Sequence, residues 1–113
     1  MAFDLQTFEP RIRTLRSEWD ALGLRWTVWP ISPNHGKAVT RVEFDGVGWL
    51  ASLIVWETGE LELEAARVED GWLIVKHYEL DIDSLDVALT ELTALVRDEA
   101  RPPGAMISWS GAP

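Results

Sequence analysis

Two histidines and an unusual number of carboxylates are the side chains of this 113-residue chain with the means to do chemistry. Glu60, Glu62 and Glu64 alternate along one predicted strand, which sets them on one face about 7 Å apart. Acids so placed could hold a metal or act as an acid–base pair if a second strand brought a partner close. Alternating Glu is also how a sheet keeps its exposed face wet, and that is the first reading. His35 lies in a Pro-Asn-His-Gly turn and His77 in a predicted strand beside Lys76. Neither has a second histidine at metal-ligand spacing. Asp81 and Asp83 are placed like the start of a calcium loop, but the required Gly and terminal Glu are missing. Ser108 and Ser110 flank Trp109 with no base beside them, and no phosphate-cradling glycine loop or nucleophile elbow occurs. Cysteine is absent, which excludes thiol catalysis, disulfides and Cys-zinc sites. The expectation is a binding protein and not an enzyme, with no cofactor and no metal.

Charge narrows the partner. Lys and Arg number 10 against 19 Asp and Glu, for a net charge of −9. A phosphate backbone needs the opposite sign, so nucleic acid is excluded as a partner. The acids are not spread evenly. Residues 1–41 carry six basic and four acidic side chains, whereas residues 42–113 carry four basic and fifteen acidic. A focused negative surface steers a positively charged partner. No apolar run approaches the length of a membrane span, and the N-terminus lacks the basic-then-apolar pattern of an export signal. A cytoplasmic protein without membrane contact is expected.

The elements that must position these residues can be read from periodicity. Leu5, Phe8, Ile12, Leu15, Trp19 and Leu22 recur at intervals of 3 and 4, which predicts an amphipathic helix over about 7–22. Gly23 before Leu24 predicts a left-handed C-cap. From 24 to 79 the period becomes two, interrupted by turn signals at Pro30–Gly36, Asp45-Gly46, Thr58-Gly59 and Glu69–Gly71. Short turns between successive strands predict an antiparallel meander of four to five strands. Ile82, Leu85, Leu89, Leu92 and Val96 predict a second helix over 84–98, with Asp83 as N-cap and Arg101–Gly104 as its stop. Residues 100–113 are a tail or a short edge strand. The fold class is therefore α+β: one two-layer domain over 1–113, both helices on one sheet face.

Seven tryptophans exceed what so small a core usually holds. Strand parity sends Trp49 and Trp56 to opposite faces, and likewise Trp26 and Trp29. Helices on one side cannot cover both members of each pair. Some indoles should therefore stand on the open face among acids, the composition of a protein-binding centre. The partner-binding candidates are Trp56, Glu57, Glu60, Glu62 and Glu64, with Trp49 and Trp72 as further anchors.

The segment Val47 to Leu63, a glycine-led strand ending in Val55-Trp56-Glu57-Thr58-Gly59, precedes a strand with His77-Tyr78-Glu79-Leu80 and then an amphipathic helix. Over about 38–96 this order resembles the TriTu family, small immunity proteins of bacterial polymorphic-toxin systems. The resemblance implies a non-catalytic protein that binds and blocks a cognate toxin, expected to be basic. Two other readings stay open. The helix–sheet–helix layout is similar to that of type III secretion chaperones, which implies a dimeric adaptor holding a client, so a homodimer is not excluded. The other is a small hydrolase using an acidic pair.

Overall fold

A computed structural model describes residues 5–34, 37–69, 71–79 and 82–109, and of 33, 34, 79, 82–84 and 107–109 the backbone alone. The turn histidine His35, the Asp81–Asp83 carboxylates, the Asp83 cap, Ser108, Trp109 and Ser110 lie outside the described side chains. A 3₁₀ turn at Leu5–Thr7 leads into helices α1 (Phe8–Arg13) and α2 (Arg16–Leu22). Five strands follow: β1 (Arg25–Asn34), β2 (Lys37–Gly46), β3 (Trp49–Trp56), β4 (Glu60–Arg67) and β5 (Trp72–Glu79). Helix α3 (Ile82–Asp98) and a short strand β6 (Met106–Trp109) complete the chain. Every strand pairs antiparallel with the next, in the order β1-β2-β3-β4-β5-β6. The first five are the meander expected from the short turns, and β6 extends it at the β5 edge. The class is α+β.

The N-terminal helical segment is broken where a single helix was expected. The Thr14 hydroxyl donates to the Arg11 carbonyl at 2.6 Å, and the Thr14 and Leu15 amides reach back only three residues. Such local bonding competes with the i→i−4 ladder and divides the helix at Thr14 and Leu15. The apolar stripe survives the break: Leu5, Phe8, Ile12 and Trp19 are all buried. Gly23 then closes α2 in the left-handed region (φ 80°), with its amide on Asp20 and that of Leu24 on Trp19.

Two turns differ from the sequence reading. Strand β1 does not stop at Pro30 but continues to Asn34, with a register irregularity between Trp29 and Ser32. An edge strand tolerates this, because its outward amides have no ladder partner for a proline to remove. The β2–β3 turn is Val47-Gly48, both with positive φ (55° and 85°), and not Asp45-Gly46, which pair with Leu50 and Trp49. Gly46 is needed for another reason. A Cβ there would stand 2.7 Å from the Gly23 carbonyl oxygen, where the hairpin packs on the α2–β1 corner. At the other end α3 stops before its prolines: Glu99 takes the left-handed conformation (φ 56°) directly after Asp98.

The core lies between the helices and one sheet face. Val42 and Phe44 of β2, Leu53 and Val55 of β3, and Leu61 and Leu63 of β4 meet buried side chains of α1, α2 and α3. Trp19 is at its centre. Its indole N–H donates to the Thr93 hydroxyl of α3 at 3.0 Å, and its ring meets Phe44 edge-on at 4.8 Å. Helix α3 is also fixed by charge. Glu91 accepts from Lys76 Nζ at 2.7 Å and from the Tyr78 hydroxyl at 2.9 Å, all on the covered side. Burial first, and then this hydrogen bond to Glu91, hold the Tyr78 phenol far above its ordinary range.

The candidate partner-binding face

Strand register fixes what the opposite face presents. One rank across the sheet reads Trp29, Arg41, Ile54, Glu62, His77, and the next Thr27, Glu43, Ser52, Glu64, Val75. A third reads Arg25, Asp45, Leu50, Ala66, Leu73. None of the described helices packs on this side. Trp29 is 45% exposed and Leu50 52% exposed, whereas their neighbours on the covered side are buried. Strand β3 is buried on one face and exposed to half-buried on the other.

The tryptophans divide by parity. Trp19 and Trp49 are in the core, Trp49 at 4% exposure, and Trp26 packs half-buried against the Trp19 ring at 5.9 Å. Trp29 and Trp56 stand on the open face. Together with Val39, Ile54, Pro30 and Arg41 they line a hollow of about 500 Å³. Trp72 is on the covered side, half-buried, with the Arg67 and Arg101 guanidinium groups over its ring at 5.7 and 4.7 Å. The structure thus brings Trp56, Glu60, Glu62 and Glu64 to one face and leaves Trp49 and Trp72 off it. Glu57 follows Trp56 in the β3–β4 turn, half-buried. Trp29 and Ile54 belong to the same face and were not singled out from sequence. The signal for them was Ser52, whose polarity marks which side of β3 is open.

Charge on this face is mostly paired. Arg25 meets Asp45 at 2.8 Å, Arg41 meets Glu43 at 3.6 Å and Lys37 meets Glu60 at 3.7 Å. Exposed pairs of this kind contribute little to stability, at most about 1 kcal/mol each. Glu62 is different. Its side chain is only 17% exposed, its carboxylate lies 3.3 Å from His77 Nε2, and Glu64 stands beside it on the same strand face. Burial, then the bond it donates to Glu64 when protonated, raise the Glu62 carboxyl above the ordinary range, while His77 opposes the shift. Among the described residues no three His, Asp or Glu side chains gather as a metal site, and no helix is long and apolar enough to cross a membrane.

A family model described as Immunity protein TriTu matches residues 8–95, well over half of the chain. The protein belongs to the TriTu immunity family. The match runs from the start of α1 nearly to the end of α3, so it takes in both helical layers and the five-stranded meander. It leaves β6 outside. Comparison with curated proteins and with solved structures gave no match. Membership of TriTu supplies the coarse function, that of an immunity protein acting against a toxin. It assigns no residue to that task.

Proposed function

We propose that this TriTu protein neutralises a cognate bacterial toxin by non-catalytic protein–protein contact through the open sheet face. The observation that carries the reading is β3: Leu50 is exposed and Ile54 and Trp56 are half-buried on a strand face, with Ser52 among them, over which no described helix packs. An exposed apolar and aromatic patch with a charged rim is the composition of a docking surface. Glu60, Glu62 and Glu64 add an acidic edge on β4, which favours a basic toxin and speeds its encounter. Trp56 and Trp29 supply contact area that water leaves on docking. Glu57, in the turn beside Trp56, belongs to the same rim.

The test is co-expression with the cognate toxin, in cells that the toxin alone kills. Wild-type chain should protect and co-purify with the toxin. Trp56→Ala combined with Glu62→Gln and Glu64→Gln should lose protection while keeping the wild-type circular dichroism and melting behaviour. Full protection by that folded triple variant would refute the assignment of this face.

A further inference from the structure

We propose that the hollow between Trp29 and Trp56 receives an arginine side chain of the toxin, with its stem along Ile54 and its guanidinium on Glu62. The proposal rests on the open face being the toxin-docking surface, and it names the group that docks there.

The shape of the hollow sets the requirement. Its walls are the two indoles, Pro30, Val39 and Ile54, interrupted by Ser32, Thr40 and Arg41, so the body of an occupant meets more apolar than polar surface. The register partner of Ile54 on β4 is Glu62, so its backbone lies one strand beyond the hollow, and its carboxylate reaches His77 Nε2 at 3.3 Å. An occupant apolar along its length and cationic at its tip satisfies both. Arginine meets this better than lysine, because a planar guanidinium stacks on aromatic faces and grips carboxylates with two parallel bonds.

The face already contains one such arrangement made from its own residues. The Arg41 guanidinium lies over the Trp29 ring at 5.0 Å and reaches Glu43 at 3.6 Å. Trp56 and Glu62 repeat the aromatic and the acid on the other side of Ile54, without an arginine of the described chain between them. The groups facing Glu62 are few. Glu64 shares its strand, His77 faces it from β5, and Arg41, a cation that itself lines the hollow, is engaged by Glu43 and Trp29. His77 is a cation only when protonated, so Glu62 has no permanent counter-ion among these neighbours. A guanidinium would supply one.

Protons compete with such a ligand. Acid conditions place a proton on Glu62, which opposes a guanidinium, so affinity rises with pH. The probe is the peptide acetyl-Gly-Arg-Gly-amide, with its neutral citrulline counterpart as control, titrated into the ¹⁵N-labelled full chain. The indole N–H resonances of Trp29 and Trp56 should shift saturably with the arginine peptide, more tightly at pH 8 than at pH 5.5. They should stay in place with citrulline, and Glu62→Gln should weaken binding about tenfold. No saturable shift, equal shifts with citrulline, or unchanged affinity in Glu62→Gln would each overturn the proposal. Because no toxin is present, failure here is distinct from failure of the docking reading. In the toxin complex itself, a Kd unmoved by Glu62→Gln would remove the arginine and leave the docking face standing.

Discussion

The two faces of this sheet are built from the same strands and solve different problems. On the covered face, polar atoms are few and each has a partner: Trp19 on Thr93, Thr93 on the Leu89 carbonyl, Lys76 and Tyr78 on Glu91. Large side chains there are almost wholly removed from water. The open face keeps residues of similar size, Trp29 and Leu50 exposed and Ile54 and Trp56 half-buried, with no described helix over them. It also holds a carboxyl, Glu62, that is mostly removed from water beside a second acid. Folding alone explains the first face. The second face is different: exposed and half-buried apolar groups stand beside carboxyls there, which is the arrangement the docking proposal draws on. The proposed docking surface is the side that contributes least to stability.

Substitutions can break this contrast from either side. Trp19→Ala removes the largest buried side chain of the covered face, its edge contact with Phe44 and its bond to Thr93. It should destabilise the fold by about 4 kcal/mol, read as a lower urea midpoint with an unchanged slope. Trp56→Ala, an indole of similar size on the other face, should cost under about 1 kcal/mol in the same experiment. Its effect belongs in the toxin complex, where a loss of about 2 kcal/mol or more in affinity is expected. If the two indoles exchanged these outcomes, the division of labour between the faces would be wrong.

A smaller effect concerns the end of the β2–β3 hairpin. Val47 is held at φ 55°, a conformation that a β-branched residue resists, and its side chain is exposed. Val47→Asn creates the Asn-Gly pair favoured in such turns and should raise stability by about 1 kcal/mol. Thermal melting would show it. A drop in melting temperature would mean that Val47 is held there by packing and not merely tolerated.

The smallest effect is in the pH dependence of stability. Glu62 binds its proton more tightly in the folded chain than in the unfolded one. Its contribution to stability is therefore fully present below the unfolded carboxyl pKa of 4.5 and lost as pH rises through the higher folded value. Glu62→Gln should flatten that part of the profile and leave the protein more stable than wild type above it. A variant that gained stability while losing toxin affinity would show directly that this carboxylate is kept for binding.

Much of this was legible in the residues. The spacing from Leu5 to Leu22 marked the helical side, the alternation around Glu60–Ala65 marked a strand wet on one face, and short turns dictated a meander. Parity separated Trp26 from Trp29 and Trp49 from Trp56. What parity cannot supply is which face the helices choose. Trp49 was thus grouped with Trp56 as an anchor although it lies in the core, and Trp72 faces the covered side beneath two arginines. The remaining departures have tertiary causes. Thr14 breaks the helix through its own hydroxyl, Pro30 is tolerated because β1 happens to be an edge, and Gly46 answers to Gly23, which is distant in sequence. The hollow beside Trp56 forms only when β1, β2 and β3 are aligned, so no single segment announces it.

The most direct test of the docking face is hydroxyl-radical footprinting of the tryptophans, free and in complex with the cognate toxin. The account predicts that oxidation of Trp29 and Trp56 falls severalfold on binding, while Trp19 and Trp49 stay unreactive in both states. Undiminished oxidation of Trp29 and Trp56 in the complex, with protection appearing at exposed Val87 on α3, would place the toxin on the helices and contradict it.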